Sequence, residues 1–210
     1  MPNKIYSFYR RIKNGDISSA IYLVFHYSYL FIYDIWFKTH FANSQSPEET
    51  NAPKGGTGNF PINPRIVKKF IDHAQIEKNE SIIDIGHGSG MVLHVLYRLG
   101  YKNLTGIEYS DIAFEISKNN LKNKAKLIHG NALETNLQLY KTIFFFNPFR
   151  GNTAKVFFSN LPDTVKTVIT INHDPEIELV LIEKGFTTIY EHQHFIYKNF
   201  NGKIWKKNVM

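Results

Sequence analysis

The feature that most constrains this chain is a short apolar run that ends in a carboxylate and three alternating glycines. Residues 81–90 read Ser-Ile-Ile-Asp-Ile-Gly-His-Gly-Ser-Gly, and Glu108 closes a second apolar run eighteen positions after Gly90. Glycines let the turn between a strand and a helix take positive φ and approach a ligand closely. A carboxylate at the tip of the neighbouring strand suits two ribose hydroxyls. The pattern therefore predicts a nucleotide-like cofactor at the ends of two adjacent strands.

The glycine spacing separates this turn from the turn that binds dinucleotides. A G-x-G-x-x-G fingerprint counted from Gly86 needs a third glycine at position 91, where the chain has Met91. The motif is instead D-x-G-x-G-x-G, and its Asp84 would repel a pyrophosphate but tolerate a cationic amino-acid headgroup. S-adenosylmethionine has such a headgroup and no phosphate. The chain here resembles the class I S-adenosylmethionine-dependent methyltransferases, through Asp84, Gly86, Gly88, Gly90 and Glu108.

Two later segments fall where that family keeps its further motifs. Residues 125–130 read as a third strand, and residues 142–149 read Thr-Ile-Phe-Phe-Phe-Asn-Pro-Phe. In the family an acidic residue after the third strand accepts a hydrogen bond from the adenine amino group, and the resemblance gives that role to Asn131. His87 lies within the glycine turn, where its side chain either contacts the cofactor or faces solvent. The resemblance implies S-adenosyl-L-methionine as cofactor, bound by the turn and by His87, Tyr109, Asn131, Ala132 and Asn147.

Helical and strand patterns alternate from residue 63 onward. Asn63 before Pro64 predicts a helix start, and predicted strands begin at Ser81 and cover residues 103–108, 125–129, 142–147 and 165–172. Strands that alternate with crossover helices form a parallel sheet covered on both faces, with ligands beyond the strand carboxyl ends. We predict an α/β fold: a Rossmann-like three-layer sandwich with a mostly parallel seven-stranded sheet, antiparallel C-terminal strands and added N-terminal helices.

The C-terminal segment has a different pattern. Residues 186–190, 194–200 and 203–207 are strand-like, and Asn201-Gly202 is the predicted hairpin turn between the last two. The class I family also ends in an antiparallel pair, so the resemblance covers residues from about 60 to 207. We predict residues 1–59 as an N-terminal helical segment and loop, and residues 60–210 as the S-adenosylmethionine-binding methyltransferase domain.

Composition limits the available chemistry and the class of partner. The 210 residues include no cysteine, which excludes a disulfide, a thiolate nucleophile and a cysteine-based zinc site. His192 and His194 share one strand face, but no third ligand accompanies them, so no metal is expected. The formal net charge of +7 favours anionic partners such as nucleic acid, lipid headgroups or nucleotide-linked sugars.

Residues 1–40 combine basic residues with a long aromatic and apolar stretch over residues 20–37. A membrane span needs about 20 mostly apolar residues, and polar residues that interrupt this stretch argue against a span. One alternative is a set of aromatic helices packed on the catalytic domain as a substrate lid. The other is an interfacial helix that holds a cytoplasmic enzyme at the anionic inner face of the membrane. The basic residues are Lys4, Arg10, Arg11 and Lys13, and the interrupting ones are His26, Ser28 and Asp34.

The composition of residues 43–60 is typical of a loop, with many Ser, Pro, Gly, Asn and Thr residues. In related enzymes the segment before the first crossover helix often folds over the methionine end of the cofactor. The resemblance therefore makes Thr57, Asn59 and Phe60 candidate contacts. The alternative is a plain linker between the N-terminal helices and the core.

The Asn-Pro-Phe segment is the predicted reaction centre. The resemblance implies in-line displacement at the sulfonium methyl, which needs alignment and, for a hydroxyl acceptor, a general base. Asn147, beside Pro148, is expected to orient an acceptor hydroxyl or amine, and the alternative is a turn residue before proline. The Phe149 ring is expected to stack on a ring-shaped acceptor. His173 follows the fifth strand and is a candidate base if its side chain enters the cleft, whereas Asp174 fits a helix N-cap.

The acceptor is open between three alternatives. The Gly106-Ile107-Glu108 and Phe-x-Asn-Pro-Phe motifs resemble small bacterial-type methyltransferases suspected of modifying glycans, which suggests a sugar or glycan precursor and a role in polysaccharide biosynthesis. Asn-Pro-Phe also resembles, without its second proline, the Asn-Pro-Pro-aromatic motif of adenine amino methyltransferases of nucleic acids, in which the ring stacks on a flipped base. The third alternative is a cofactor-binding module without catalysis.

Overall fold

A seven-stranded sheet forms the centre of the molecule in a computed structural model that describes residues 9–49, 56–193 and 201–208. Its strands are β1 (Ile82–Ile85), β2 (Leu104–Glu108), β3 (Lys126–His129), β4 (Thr142–Phe145), β5 (Thr167–Ile171), β6 (Phe186–Gln193) and β7 (Asn201–Lys207). Their order across the sheet is β3-β2-β1-β4-β5-β7-β6. The first five are mutually parallel, and β7 lies antiparallel between β5 and β6. The predicted fold class is confirmed.

Helices cover the sheet, and two of them begin at side-chain caps. The Asn63 side chain accepts the N–H of Arg65 at the start of the first crossover helix, and Ser110 accepts the N–H of Ala113 at the start of the third. Two short 3-10 turns, Ala132–Glu134 and Leu137–Leu139, lie between β3 and β4. The helices are α1 (Ile17–Phe37), α2 (Pro64–Ala74), α3 (Met91–Arg98), α4 (Asp111–Leu121), α5 (Gly151–Ser159) and α6 (Glu176–Glu183).

The core lies on both sides of the sheet. Along β1, Ile82 is buried among residues of α2 and α3, while Ile83 and Ile85 are buried among residues of α5 and α6. A parallel sheet covered by helices on both faces has strands that are apolar on both sides, as the run Ile-Ile-Asp-Ile is. The carboxyl ends of these strands remain uncovered by the helices, and this edge carries the predicted motifs.

The N-terminal helix α1 is packed into the same core. Leu30 of α1 and Phe41 just after it are fully buried in the cluster on the α2 and α3 side. The Asp34 carboxylate ends the helix, because it accepts hydrogen bonds from the Thr39 hydroxyl and from the N–H groups of Phe41 and Ala42. The chain therefore turns back onto the sheet directly after α1, and the domain boundary at residue 59 stays a prediction.

The predicted hairpin turn at Asn201-Gly202 is wrong, because both residues lie inside β7. Gly202 pairs with Ile171 of β5 and His192 of β6. A Cβ at Gly202 would lie 2.3 Å from the Phe70 ring, so glycine is needed there for packing between sheet and helix. The predicted strand over residues 194–200, with His194, lies outside the described residues, as do Lys4 and residues 50–55.

Candidate active site

A cavity of about 1200 Å³ opens at the carboxyl ends of β1, β2, β4 and β5. Parallel α/β sheets bind ligands at this edge, where the strand order reverses. The three candidate contacts of the preceding loop, Thr57, Asn59 and Phe60, also line the cavity. The predicted cofactor and reaction residues that line it are Asp84, Gly86, His87, Gly88, Glu108, Tyr109, Asn131, Ala132, Asn147, Pro148 and Phe149.

The glycine turn after β1 is packed between two other segments of the cavity wall. Gly86 has a φ of 67° and Gly88 a φ of 54°, values that favour glycine. A Cβ on Gly86 would lie 2.3 Å from the Pro148 Cβ, and one on Gly88 would lie 2.3 Å from the Asn59 Oδ1. The turn can pack this closely against both segments only because Gly86 and Gly88 carry no side chain.

Gly90 is not among the residues that line the cavity, in contrast to its predicted cofactor contact. It precedes α3 with a φ of 89°, and a Cβ there would lie 2.6 Å from the Leu121 side chain of α4. The third glycine of the motif therefore allows close packing of the turn on a helix.

The Glu108 carboxylate joins the end of β2 to the glycine turn. Its Oε2 accepts the N–H of Gly88 at 2.8 Å, and its Oε1 accepts the N–H of Ser110 at 2.8 Å. A carboxylate has about four acceptor positions, so both oxygens keep capacity toward the cavity. The geometry suits two ribose hydroxyls, as the sequence predicts.

Asp84 and His87 place two buried polar atoms without partners beside the cavity. Within the described part of the chain, neither the Asp84 Oδ2 nor the His87 Nε2 has a hydrogen-bond partner. Burial, and then the charge of Glu108, raise the pKa of Asp84 well above its usual range. Burial lowers the pKa of His87, whose Nδ1 lies 2.9 Å from the Gly88 carbonyl oxygen. The alternative of a solvent-facing His87 is wrong, because its ring packs under the turn against Gly106.

These groups fit S-adenosylmethionine better than a phosphate-bearing cofactor. A bound cationic group lowers the energetic cost of a buried carboxylate without a partner, whereas a bound anionic group raises that cost. Asp84 therefore suits the cationic headgroup, and Glu108 suits the ribose. Asn131 lines the same cavity, where its Oδ1 accepts the N–H of Leu133, and its contact with adenine stays a prediction.

The Asn-Pro-Phe turn after β4 is held by the loop that precedes α2. Asn147 has a φ of 45°, in the left-handed region that asparagine tolerates. The Thr57 hydroxyl donates to the Asn147 carbonyl at 2.5 Å, and the Thr57 N–H donates to the Pro148 carbonyl at 3.0 Å. Gly56 forms a β-bridge with Phe149. The loop is thus part of the reaction centre and is not a plain linker.

Asn147 and Phe149 present a polar atom and an aromatic surface to the cavity. The Asn147 Oδ1 accepts the Nε–H of Arg150 at 3.0 Å. The Phe149 ring packs on Phe145 and Phe157, with ring centroids 5.2 Å and 5.6 Å away, and remains partly exposed. A neutral amide and a partly exposed ring can orient an acceptor, but neither can accept its proton.

His173 does not enter the cleft, so the predicted position of a catalytic base there is wrong. Its side chain is fully buried, with Nε2 3.1 Å from the Glu178 Oε1 and its ring near Trp205. Burial lowers its pKa, against the opposing effect of Glu178. Asn172, in the left-handed region with a φ of 55°, lines the cavity in its place.

The predicted N-cap role of Asp174 is wrong as well. Pro175 occupies the N-cap position of α6 and makes no side-chain hydrogen bond. The Asp174 Oδ2 accepts the N–H of Gly151 at 2.8 Å, at the first residue of α5. The carboxylate therefore satisfies a free donor of a helix that is 23 positions earlier in the chain.

Several cavity residues had no assigned role in the sequence. Asn172 and Arg150 come soon after apolar strands, as Asn147 does, and this placement is the sequence feature that could have identified them as cavity residues. The sequence predicted the N-terminal contributors only as a segment, in the alternative of aromatic helices packed on the domain as a substrate lid, because tertiary packing decides which residues of α1 reach the cavity. His26 of α1 has its Nε2 3.2 Å from the Pro61 carbonyl oxygen, which ties the helix to the loop. The N-terminal cavity residues include Tyr22, Leu23, Val24, His26 and Tyr27.

Curated relatives of this chain are methyltransferases, and the chain spans well under two thirds of their length. A zebrafish (Danio rerio) EEF1A lysine methyltransferase 2 is 46% identical over 53 residues, which are 25% of this chain and 23% of the relative. A ribosomal RNA small subunit methyltransferase A from Malacoplasma penetrans is 29% identical over 111 residues, which are 53% of this chain and 37% of the relative.

Solved structures share the fold at low sequence identity. The ribosomal protein L11 methylase of Lactobacillus delbrueckii subsp. bulgaricus has a TM-score of 0.59 at 17% identity, over 72% of this chain and 82% of that one. An RNA methyltransferase from Salinibacter ruber, in complex with S-adenosyl-L-homocysteine, has a TM-score of 0.54 at 13% identity, over 72% and 96%.

The match to a protein family covers the cavity motifs. The family model described as ribosomal RNA adenine dimethylase matches residues 52–183, more than half of the 210 residues. This range contains the loop with Thr57, the glycine turn, Glu108 and the Asn-Pro-Phe turn. The resemblance to class I S-adenosylmethionine-dependent methyltransferases is confirmed, and the chain belongs to the ribosomal RNA adenine dimethylase family.

Proposed function

We propose that this chain binds S-adenosylmethionine in the cavity and transfers a methyl group to an amino nitrogen, with an adenine base of RNA as the acceptor. The observation that carries the proposal is the Asn147 turn, which presents a side-chain acceptor oxygen next to the partly exposed Phe149 ring. The family match over residues 52–183 and the RNA methyltransferases among the relatives support the same acceptor.

The cofactor, when bound, supplies an electrophilic methyl group on a sulfonium sulfur. Glu108, oriented by the N–H groups of Gly88 and Ser110, would accept hydrogen bonds from its ribose hydroxyls, and the buried Asp84 carboxylate would balance its cationic headgroup. Gly86 and Gly88 allow close approach to the backbone. Holding the two reactants in line removes much of the entropic part of the barrier.

Asn147 orients the amine in this mechanism. An N–H of the acceptor replaces the Arg150 Nε–H as donor to the Asn147 Oδ1, so the nitrogen lone pair faces the methyl group. The amino nitrogen would take the methyl group as the carbon–sulfur bond breaks, and the methylated nitrogen would then lose its proton to water. Asn147 is a neutral amide, so its role is orientation and not proton abstraction.

Phe149 supplies the stacking surface for the base. A base stacked on an aromatic side chain gains roughly 1–3 kcal/mol, with little dependence on sequence. Phe60, which lines the cavity and is 57% exposed, offers a second ring. The hydrogen bonds from Thr57 to Asn147 and Pro148 hold the loop that carries Phe60 against the turn.

A sugar or glycan precursor is the alternative acceptor, and its support is weaker. A sugar hydroxyl needs a general base, and His173, the residue predicted for that role, is buried away from the cavity. The relatives described above are RNA or protein methyltransferases, so they favour an amino nitrogen. A role in polysaccharide biosynthesis and a cytoplasmic location stay predictions.

The test is transfer from methyl-labelled S-adenosylmethionine to unmodified, transcribed ribosomal RNA, to ribosomal proteins and to a panel of glycan precursors. Nucleosides from digested RNA are separated and identified by mass spectrometry. We expect label in N6-methylated adenosine. Label found only in sugar or only in protein would show that the acceptor is not adenine. Tight cofactor binding without any methylated product would favour a cofactor-binding module without catalysis.

Variants separate chemistry from cofactor binding. We expect Asn147→Ala to slow transfer about a hundredfold or more, because alignment is lost, while calorimetric affinity for the cofactor stays close to wild type. The matched control is Asn160→Ala at an exposed position outside the cavity. Equal transfer rates for Asn147→Ala and wild type would remove the proposed mechanism.

A further inference from the structure

One side of α1 exposes a largely apolar surface, here named the α1 apolar face. Trp36 is 78% exposed and Phe25 is 70% exposed, although both are large and apolar. The exposed apolar residues form two groups on the same side of the helix, residues 17–25 and 31–36, with the exposed Ser28 between them. They are Ile17, Ile21, Val24, Phe25, Phe31, Ile32, Ile35 and Trp36.

The α1 apolar face carries no charge of its own. Asp34 directs its carboxylate to the Thr39 hydroxyl and to two N–H groups of the following loop. Asp16, before the helix, accepts the N–H of Ser19 as N-cap. The acidic groups of this segment are therefore used in capping, and the face exposes apolar side chains and the uncharged Ser28.

Basic residues lie at both ends of α1 and beside the rings on its inner side. Lys38 directly follows α1 and is exposed, and Lys13 precedes it and is exposed. The Arg98 guanidinium lies over the Phe37 ring at 4.1 Å, and that of Arg65 lies over Tyr29 at 5.1 Å. An apolar helix face with basic flanks and aromatic side chains is typical of a helix that lies in the interface of an anionic bilayer.

The packing of the other side of α1 indicates whether the helix lies on a bilayer or crosses it. By length and composition α1 qualifies as a candidate span, and 11% of its most apolar stretch is buried. Its inner side carries Leu30, which belongs to the core cluster together with Phe41. Crossing a membrane would strip this side from the core, whereas docking leaves the packing unchanged.

We propose that the α1 apolar face docks on an anionic membrane surface, with Lys13 and Lys38 at its two ends contacting lipid headgroups. Val24 belongs both to this face and to the cavity wall, next to Leu23. A docked protein therefore holds one wall of its cavity close to the bilayer. The inference concerns where the protein is held and is independent of the acceptor.

Flotation of the full chain with vesicles tests the proposal. We expect the wild type to float with phosphatidylcholine vesicles that contain phosphatidylglycerol, and far less with phosphatidylcholine alone or in high salt. Phe25→Gln with Trp36→Gln is expected to lower partitioning about tenfold or more. The matched control is Leu179→Gln with Ile182→Gln, two exposed apolar residues on α6 that should leave partitioning unchanged.

Tryptophan fluorescence gives a second readout at a defined site. The chain has two tryptophans, of which Trp205 is 1% exposed and Trp36 is the exposed one. A blue shift on addition of anionic vesicles is therefore expected from Trp36 and should be absent in Trp36→Phe, which keeps the face apolar. Thermal unfolding and cofactor binding check that each variant is folded.

Three results would overturn the proposal. One is failure of the folded wild type to float with phosphatidylglycerol vesicles. Another is equal flotation of the face variant and the α6 control variant. The third is a protein that does not bind vesicles but forms a concentration-dependent dimer, measured by sedimentation without lipid. If Phe25→Gln with Trp36→Gln abolishes this dimer, the α1 apolar face contacts a second copy of the chain and not a membrane.

Discussion

The Glu108 Oε2 accepts the backbone N–H of Gly88 at 2.8 Å, which joins the tip of β2 to the glycine turn after β1. The second oxygen accepts the N–H of Ser110, so the carboxylate is oriented by two main-chain donors. Because its position is set by the backbone, the carboxylate is preorganised for the ribose before the cofactor arrives. A single side chain thus shapes the turn and also supplies its ligand group.

Glu108→Ala is therefore expected to weaken binding of S-adenosylmethionine by about 10- to 100-fold, because a hydrogen bond to a charged group contributes roughly 1.5–3 kcal/mol. Calorimetric titration measures the change. Glu108→Gln retains an acceptor oxygen for Gly88 and should lose less affinity. Glu115→Ala, at an exposed glutamate of α4 paired with Lys118, serves as control and should bind as wild type does. Unchanged affinity in folded Glu108→Ala would contradict the assignment.

Gly86→Ala is expected to destabilise the fold more than Gly185→Ala does. Both glycines have positive φ, 67° and 83°, where alanine costs about 1–2 kcal/mol. Only at Gly86 does the new Cβ meet another atom, the Pro148 Cβ at 2.3 Å, whereas nothing lies within 4 Å at Gly185. Overpacking adds roughly 1–3 kcal/mol. Urea unfolding of both variants measures the difference, and equal losses would show that the turn relaxes away from Pro148.

Asp84→Asn is expected to stabilise the protein without cofactor at neutral pH and to weaken cofactor binding. Burial first, and Glu108 second, raise the pKa of the folded Asp84 above its ordinary value of 3.8. A raised carboxyl pKa means that stability present below pH 3.8 is lost as pH rises through the folded pKa.

The gain from Asp84→Asn should therefore be absent below pH 3.8 and grow toward neutrality. Denaturant unfolding at a series of pH values measures it. Saturating S-adenosylmethionine should shrink the gain, because the cationic headgroup compensates the wild-type carboxylate. A constant difference at every pH would point to packing and not to charge.

His94 should make the attachment of α1 sensitive to acid. Its ring is buried within 6 Å of the rings of Tyr33, Phe37 and Phe41, and burial lowers its pKa from 6.5 to about 4. A histidine with a lowered folded pKa contributes stability that is present above pH 6.5 and lost as pH falls toward about 4.

His94→Leu should flatten the stability profile between pH 6.5 and about 4, because no proton is then taken up on unfolding. Denaturant unfolding across this range measures the profile. The control is His40→Leu at an exposed histidine, which should keep the wild-type slope. An identical slope in His94→Leu would assign the acid sensitivity to another group.

Local signals in the sequence account for the fold and for half of the site. The caps at Asn63 and Ser110, the glycine turn and the position of Glu108 are each encoded within a few residues. Glycine is required by backbone torsion, and a capping side chain reaches only its own helix. Such constraints do not depend on which distant segment packs nearby, so the mostly parallel sheet was predictable, whereas the hairpin turn predicted at Asn201-Gly202 was wrong.

Tertiary structure decided where the remaining side chains point. Thr57 meets Asn147 across ninety positions, Asp174 bonds to Gly151 of another helix, and His173 is buried against Glu178. The two sides of α1 look alike in sequence, yet one packs in the core and the other is exposed. Which apolar or polar group is buried depends on long-range contacts that no local pattern contains, because hydrophobic burial is non-directional and only the assembled surface selects the side.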